Sequence, residues 1–353
     1  MNTKSNILVA PLNWGLGHAT RCIPIINALE DNGYNPIIAS DGAALDILRK
    51  EFPHLTTVEL PSYNIEYPEN GDNFKWKILK NAPSMFDSII KEKKLIKKLV
   101  AQYDIRGIIS DNRIGVFNKK VPSVFITHQL NVLSGKTTWI SSIMHQQAIR
   151  NFDECWVPDF EDAPYLSFKL GHLKNFNPDI IYIGPQSRLE IEKIPLKFDL
   201  MVLLSGPEPQ RTMLDTLLRA EVKRFEGNVI YVCGQVEAEQ QMTIEQNITF
   251  YNFMTGDQLQ KAMNQSNMIL CRSGYTTIMD IAQLGKKCFF IPTPGQYEQQ
   301  YLAKKYKKEG MAPWAKQDNF KIENLLEVDL YAGLPQRESV TEWKKLFCLF
   351  KSE

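Results

Sequence analysis

The sequence lacks several features that would assign it at once to a large class of proteins. No apolar run approaches the ~18 residues that a membrane-spanning helix needs. Residues 1–12 carry only a short apolar run before a glycine-rich turn, so we expect no signal peptide. The 41 Lys and Arg residues offset 40 Asp and Glu residues, which gives no reason to expect nucleic acid as a partner. We therefore expect a cytoplasmic protein, and leave open a peripheral contact at the inner face of the cytoplasmic membrane.

Motifs for metal sites and for several common mechanisms are also absent. The six cysteines are scattered without a Cys-x-x-Cys pair, which predicts buried, reduced thiols rather than disulfides or a zinc site. No His-x-x-x-His or Asp-x-Asp pair, Gly-x-Ser-x-Gly turn or Walker A lysine is found. We expect neither a metal ion nor a cofactor.

Short apolar runs alternate with longer helical patterns, and the 353 residues, 44% of them hydrophobic, suffice for two domains. This alternation predicts an α/β protein with βαβ units and parallel sheets covered on both faces. Strands are expected at residues 7–10, 36–39, 56–60, 107–110, 123–127, 154–157 and 180–183, and again at 200–204, 228–232, 248–251, 268–271 and 288–291. Helices are expected at residues 19–32, 43–51, 84–102 and 137–151.

The break at Gly184-Pro185 separates two series of strands. We expect a first Rossmann-like domain at residues 1–184, a linker at 185–198 and a second Rossmann-like domain at 199–334. A C-terminal helix is expected at residues 335–353, and the sequence permits it to pack back on the first domain.

The first candidate site follows the first strand. Gly15 and Gly17 permit positive φ and a close backbone approach. His18 stands at the expected helix start, where the helix dipole favours a neutral imidazole, and Arg21 shares its helix face. The alternative is a plain strand–helix turn with an exposed histidine.

Polar residues also follow two later strands of the first domain. Asp111 ends one strand and is expected to orient His18, and His128, Gln129 and Asn131 follow the next. The carboxyl ends of strands are where open α/β sheets bind ligands. Each residue is alternatively a local cap or turn residue.

The region from residue 267 to residue 300 is the strongest candidate site in the second domain. A strand leads through Ser273-Gly274 into a helix, an arrangement that presents backbone N–H groups to an anion. Asp280 offers a carboxylate to ribose hydroxyls, and Gln299 and Gln300 offer hydrogen bonds to sugar hydroxyls. Taken singly, Asp280 is an ordinary solvated helix residue and the glutamines an ordinary first turn.

A second strand–turn–helix pattern contains Ser205, Gly206 and Arg211. Arg211 or Arg272 would neutralise a phosphate. The two neighbouring prolines remove N–H donors, so a simple turn explains the pattern equally well.

A basic run from residue 75 to residue 98 contains eight lysines with interleaved apolar residues. This pattern is typical of a solvated surface helix with an apolar core stripe. The alternative is an amphipathic edge that meets anionic lipid headgroups.

These motifs together resemble the GT-B nucleotide-sugar glycosyltransferases, especially family 28, which includes the peptidoglycan N-acetylglucosaminyltransferase. Gly15-Leu16-Gly17-His18 is similar to the glycine-rich loop of that family's N-terminal domain, and the form that continues through Arg21 is most similar to a poorly characterised branch. The segment with His128, Asn131 and Gly135 resembles the family's His-Glu-Gln-Asn…Gly segment, and Ser273-Gly274, Asp280 and Gln299-Gln300 resemble its donor-binding region.

The resemblance implies two Rossmann-like domains that face each other across a cleft, and a role in cell-envelope polysaccharide synthesis. The chain departs from the family at Gln129, where the family has a glutamate, and at Asp280, which is one methylene shorter than the family's ribose-binding glutamate. Because Gln129 cannot act as a base, the assignment of the base shifts to His18.

The sequence therefore predicts an inverting, metal-independent transferase with a nucleotide diphosphate sugar, expected to be UDP-linked, as donor. The acceptor is a glycan, a lipid-linked sugar or a small molecule. His18 would take the proton from the acceptor hydroxyl. A nucleotide-sugar hydrolase, a sugar-nucleotide 2-epimerase and a non-catalytic nucleotide-sugar binder remain as alternatives, although no set of carboxylates that an epimerase needs is apparent.

Overall fold

The structure, a computed structural model, describes residues 4–63, 74–135, 138–173, 179–235, 237–337 and 341–351, with the backbone alone for residues 74–83. The described chain divides into two compact units. Unit 1 lies within residues 4–63, 75–186 and 341–351, and unit 2 lies within residues 187–337.

Unit 1 is built around a seven-stranded parallel sheet. Its strands are β1 (Asn6–Pro11), β2 (Asn35–Ser40), β3 (Thr56–Glu59), β4 (Ile105–Asp111), β5 (Ser123–Ile126), β6 (Glu154–Val157) and β7 (Asp179–Tyr182), and its long helices are α1 (Leu16–Asp31), α2 (Gly42–Glu51), α3 (Phe74–Gln102) and α4 (Thr138–Ile149). The strand order is β3-β2-β1-β4-β5-β6-β7. The central strands are continuously apolar because they are covered on both faces, and residues 7–10 of β1 are fully buried.

Unit 2 contains a six-stranded sheet of related topology. Its strands are β8 (Phe198–Leu203), β9 (Val229–Val232), β10 (Met242–Glu245), β11 (Ile248–Tyr251), β12 (Ser266–Cys271) and β13 (Lys287–Phe290), and its helices are α5 (Gln210–Val222), α6 (Gly256–Asn264), α7 (Tyr275–Leu284) and α8 (Tyr297–Lys308). The order is β10-β11-β9-β8-β12-β13, and β10 alone pairs antiparallel. The sequence does not predict β10, since its four residues are all exposed and carry no apolar run.

Each sheet has a point at which the strand order reverses. In unit 1 it lies between β1 and β4, and in unit 2 between β8 and β12. Ligands of doubly wound α/β folds bind beyond the carboxyl ends of the strands at such points. The β1–α1 turn and the end of β4 in unit 1, and the β8–α5 and β12–α7 turns in unit 2, therefore lie where a ligand is expected.

The C-terminal segment differs from the single helix that the sequence predicts. It forms the four-residue helix α9 (Trp343–Leu346) and a 3-10 helix (Phe347–Phe350), while residues 338–340 lie outside the described part. Phe347 and Phe350 are buried in the core of unit 1. The 3-10 turn brings side chains three residues apart onto one side, which suits the burial of both rings. A Cβ on Gly107 would lie 2.3 Å from the Phe350 ring, so this glycine makes room for it.

Helix α3 begins ten residues before the predicted start and contains the whole basic run. Ile89, Ile96 and Leu99 are buried and form the expected core stripe, whereas Phe86 and Ile90 are 57% and 52% exposed. The side chains of the lysines before residue 84 lie outside the described part. Among the described residues, no helix combines the length and apolar character needed to cross a membrane.

Candidate functional site

The β1–α1 turn brings His18 and Arg21 to the carboxyl edge of the unit 1 sheet. Gly15 has a φ of 81°, a left-handed conformation that glycine adopts without strain, and α1 begins at the next residue. Gly17 lies inside α1 and does not share that conformation, contrary to the expectation. Asp111 ends β4 and pairs with the last residue of β1, so the helix face and the strand end converge.

Asp111 binds both helix residues through its carboxylate. Arg21 donates to both Asp111 oxygens through Nε and Nη2. His18 Nδ1 lies 2.8 Å from Asp111 Oδ1. The side chains of Asp111 and Arg21 are 0% and 2% exposed, whereas that of His18 is 15% exposed. Of these three residues, His18 is therefore the one that presents a side chain to solvent.

Two tautomers of His18 fit these contacts. In one, Nδ1 carries the proton and donates to Asp111, which leaves a lone pair on Nε2. In the other, Arg21 Nη2, 2.8 Å away, donates to Nδ1 and the proton is on Nε2. The carboxylate favours the first tautomer, because the second would place the Nδ1 lone pair 2.8 Å from an anionic oxygen that can only accept. This is the form that can accept a proton through Nε2.

Burial sets the protonation state of the pair. Burial lowers the pKa of His18 below 6.5, and the charge of Arg21 lowers it further, against an upward effect of Asp111. Burial alone would raise the pKa of Asp111, but the charges and hydrogen bonds of Arg21 and His18 outweigh it and hold that pKa well below its usual range. At neutral pH the pair is a neutral imidazole beside a carboxylate.

The strand after β4 brings a second histidine to the same group. Arg21 Nη1 lies 3.2 Å from His128 Nδ1, within hydrogen-bond distance. Gln129 follows with its backbone N–H bound to the Thr127 hydroxyl at 3.0 Å. Asn131 donates to the Lys169 carbonyl at 2.5 Å and thereby links the loop after β5 to the segment at residue 169. Arg21 thus joins His18, Asp111 and His128 in one cluster.

A buried ionic network that sequence reasoning missed supports these loops. Arg113, 0% exposed, donates to Glu92 and to Asp41, each at 2.6 Å, and to the Pro61 carbonyl. Tyr63 donates to the other Glu92 oxygen at 2.6 Å. Burial raises the pKa of Glu92, while the charge of Arg113 opposes that rise. No local pattern predicts this network, because its members come from separate loops and α3.

In unit 2, the β12–α7 turn presents an open helix N-terminus. Gly274 precedes α7 with φ −72° and ψ 139°, a conformation open to any residue. A Cβ placed there meets no described atom within 4 Å, so the space above the turn is clear. The first N–H groups of a helix lack partners within it and attract anions. The Ser273 hydroxyl donates to the Gln299 carbonyl at 2.9 Å and ties the turn to α8.

Arg272 points into the protein, and the expectation that its charge faces a phosphate is not met in this structure. Its side chain is 1% exposed and donates to the carbonyls of Ile291, Pro292 and Gln210 and to the Gln317 side chain. Burial lowers the pKa of Arg272 to about 9. Arg272 therefore fastens the turn after β12 to the loop after β13 and to the start of α5.

Asp280 lies on α7 and is half-buried. The Ser187 hydroxyl donates to its Oδ1 at 2.6 Å. Burial raises the pKa of Asp280 to about 6, while the Ser187 hydrogen bond and the charge of Arg188 act in the opposite direction. Ser187 is a further residue that the sequence did not suggest, since it lies 93 positions before its partner.

The two glutamines open α8 beside these groups. Gln299 accepts a hydrogen bond from the Thr293 backbone N–H at 2.8 Å through its side-chain oxygen. That bond shapes the loop between β13 and α8. Gln300, the next residue of α8, is half-buried.

The β8–α5 turn contains the remaining candidates. Gly206 has a φ of 106°, and a Cβ there meets no described atom within 4 Å, so the backbone beside Ser205 is open. Arg211 is 4% exposed, pairs with Glu208 and donates to the Cys233 carbonyl at 3.0 Å. Its charge is thus partly neutralised within unit 2. Within the described parts of the chain, no group of three or more His, Cys, Asp or Glu side chains is placed to hold a metal ion.

Comparison with known proteins finds a family match in the second half of the chain. Residues 204–342 match the glycosyltransferase family 28 C-terminal domain. A Haemophilus ducreyi protein named UDP-N-acetylglucosamine–N-acetylmuramyl-(pentapeptide) pyrophosphoryl-undecaprenol N-acetylglucosamine transferase is 29% identical over 164 residues, 44% of each chain, so this match spans less than half of that relative. The Glaesserella parasuis protein of the same name is 25% identical over 92% of this chain and 89% of its own.

Solved structures share the fold. The crystal structure of Acinetobacter baumannii MurG superposes with a TM-score of 0.58 at 15% identity and covers 99% of both chains. An identity this low shows the fold alone. With the family match, these findings confirm that the protein resembles the GT-B glycosyltransferases of family 28.

Proposed function

We propose that this protein is an inverting glycosyltransferase that moves a sugar from a UDP-linked donor to a hydroxyl group. Unit 2 binds the nucleotide diphosphate sugar, and unit 1 supplies the base. His18 Nε2 takes the proton of the acceptor hydroxyl while the hydroxyl oxygen forms a bond to the anomeric carbon of the donor sugar. The bond from that carbon to the diphosphate breaks on the opposite face, and the nucleoside diphosphate leaves with the electron pair of that bond. The family match and the names of the relatives support the glycosyl-transfer chemistry.

The hydrogen bond between His18 and Asp111 is the observation that carries the proposal. Asp111 accepts the Nδ1 proton of His18, which leaves Nε2 as the base and stabilises the imidazolium that forms during transfer. Arg21 holds the carboxylate ionised. General-base catalysis of this kind requires a partly exposed histidine that is hydrogen-bonded to a buried carboxylate. Helix α1 provides the histidine and strand β4 provides the carboxylate.

The donor would lie over the turns that follow β8 and β12. Backbone N–H groups at Gly274 would stabilise the diphosphate as it leaves, so we expect activity to persist in EDTA. Asp280 would accept hydrogen bonds from the ribose, and Gln300 with Gln299 would contact the sugar. We assign this role to the backbone because Arg272 points into the protein and Arg211 is paired with Glu208, so that both charges already have partners within unit 2.

The relatives' names point to N-acetylglucosamine as the sugar and to a polyprenyl-pyrophosphate-linked sugar as the acceptor. We propose a lipid-linked acceptor of this chemical class. The residue after His128 is Gln129 where the family has glutamate, so the acceptor sugar is expected to differ from the muramyl pentapeptide of the relatives.

A ligand screen followed by a turnover assay tests this function. Thermal shift and calorimetry would compare UDP, UDP-N-acetylglucosamine, UDP-glucose and dTDP, since a bound ligand stabilises the folded state. Stabilisation by UDP compounds over dTDP is expected, and no binding of any would refute the proposal. Release of free sugar together with UDP in the absence of acceptor, undiminished when lipid-linked acceptors are added, would indicate the hydrolase instead.

The pH dependence of turnover reports on His18. The base works only when neutral, and burial with the charge of Arg21 lowers its pKa. We therefore expect the acid limb of kcat/KM for the acceptor, measured at saturating donor, to have its midpoint below pH 6.5. Saturating donor removes the contribution of donor binding to the profile. A midpoint above 6.5 would mean that His18 is not the titrating base.

A peripheral contact with an anionic lipid surface would bring unit 1 to a lipid-linked acceptor. Helix α4 contains no Asp, Glu, Lys or Arg, and Trp139, Ile140, Ile143 and Met144 are each 41–66% exposed. On helix α3, the exposed Phe86 and Ile90 are close in sequence to Lys91, which is 63% exposed and pairs with Asp87. Apolar side chains next to lysines are typical of surfaces that bind anionic bilayers.

Replacement of Trp139 and Ile143 by serine is expected to weaken binding to anionic vesicles at least about tenfold, because each such side chain contributes ~1.5–3 kcal/mol on burial. Sedimentation with vesicles containing phosphatidylglycerol measures the change. The matched control replaces Leu326 and Leu330, which are 81% and 82% exposed on unit 2, and should leave binding unchanged. Equal losses in both variants would show non-specific adsorption.

A further inference from the structure

Ser187, where the chain passes from unit 1 into the segment 187–337 of unit 2, is bound to the carboxylate proposed to hold the ribose. Ser187 Oγ donates to Asp280 Oδ1 at 2.6 Å and accepts the Leu189 backbone N–H at 3.1 Å. The backbone donor fills an acceptor position of the hydroxyl, so its own proton is directed to the carboxylate. Within the described residues, Asp280 Oδ2 has no hydrogen-bond donor.

We propose that Ser187 is a positioning residue that fixes the Asp280 carboxylate so that Oδ2 accepts a hydrogen bond from the ribose of the donor. This inference rests on the proposed donor role of Asp280. Aspartate has a short side chain with two rotatable bonds, and a hydrogen bond to one oxygen selects the orientation of the other. The segment that begins unit 2 thereby contributes to nucleotide recognition.

The Ser187 hydrogen bond also favours the charged form of this carboxylate. An ionised carboxylate accepts hydrogen bonds at both oxygens. The protonated carboxyl group instead carries an O–H donor at one of them. Burial raises the pKa of Asp280, whereas the hydrogen bond from the Ser187 hydroxyl and the charge of Arg188 lower it. Loss of the hydroxyl therefore raises that pKa further. Donor affinity, which is full above the Asp280 pKa and falls below it, should then decline at a higher pH.

Calorimetry with UDP, 2′-deoxy-UDP and 3′-deoxy-UDP between pH 5 and 8.5 tests the inference on the full chain. We expect the wild type to prefer UDP over at least one deoxynucleotide. Ser187→Ala should lower UDP affinity about two- to tenfold at pH 7, the effect of one net hydrogen bond. The affinity of Ser187→Ala for that deoxynucleotide should stay within about twofold of the wild-type affinity, because the deoxynucleotide lacks the hydroxyl whose contact Ser187 supports. Ser187→Thr, which retains the hydroxyl, should restore both the preference and the pH midpoint.

The outcomes separate the two proposals. If the wild type binds no uridine nucleotide, the proposed function fails. If it binds UDP with no preference over either deoxynucleotide, the role of Asp280 fails and the inference with it. If it discriminates but Ser187→Ala leaves the preference and the pH midpoint unchanged, or weakens all three nucleotides equally, Ser187 is structural and the inference is overturned. Should Ser187→Ala fail to fold, Ser187→Cys, of similar size but a weak donor, supports the same comparison.

Discussion

Replacement of His18 by alanine is expected to lower kcat about 10²–10⁴-fold, the range typical of a lost general base. The Kd of the UDP-linked donor should remain within about twofold, because His18 is proposed to contact the acceptor hydroxyl and none of the proposed donor-binding residues. Steady-state turnover at saturating donor measures the first quantity, and calorimetry measures the second. The expected pattern is thus a loss of chemistry with binding retained.

His54→Ala is the matched control for that variant. His54 is 59% exposed and pairs with Glu30 at 2.9 Å, away from the Asp111 cluster. This variant should retain wild-type kcat. Unchanged turnover in His18→Ala, with donor affinity intact, would remove the mechanism and favour a non-catalytic nucleotide-sugar binder.

Replacement of Gly274 by valine is expected to abolish most donor binding while the protein stays folded. The φ and ψ of Gly274 suit valine, and no described atom lies within 4 Å of the added Cβ. The side chain would occupy the space that a diphosphate needs to reach the N–H groups of α7. Each hydrogen bond to a charged group contributes ~1.5–3 kcal/mol, so the Kd for UDP should rise about 10–100-fold or more.

A size series sharpens this experiment. Gly274→Ala should weaken UDP binding less than Gly274→Val, and thermal unfolding of both variants should occur at or above the wild-type temperature, because loss of glycine reduces the entropy of the unfolded chain. Calorimetry and circular dichroism give the two measurements. If both variants bind UDP as the wild type does, the diphosphate does not approach this turn, and the donor site lies elsewhere.

The two units use the same architectural principle for different chemistry. Each places its candidate residues where the strand order of a doubly wound sheet reverses. Unit 1 fills that position with a buried carboxylate and a partly exposed imidazole, which suits proton transfer. Unit 2 leaves it open over glycines and a helix N-terminus, which suits an anion.

Much of this arrangement was predictable from local patterns. The apolar runs of β1, β4, β8 and β12 predict parallel strands, and the strand–glycine–helix order predicts the turns that follow them. His18 and Arg21 share a face because they are three residues apart in a helix. Asp111 was expected to orient His18 because it ends a neighbouring strand, and the structure brings the two within 2.8 Å.

The sequence by itself determined the two α/β units, the turns that carry the candidate residues and the family resemblance, since each depends on periodicity or on short motifs. Tertiary structure alone decided which charges turn inward. Arg272 and Arg113 are buried because carbonyls and carboxylates from distant loops surround them, and Ser187 reaches Asp280 across 93 positions. The direction of a side chain follows from the partners that packing brings to it, and residues far apart in the chain leave no local pattern that predicts such partners.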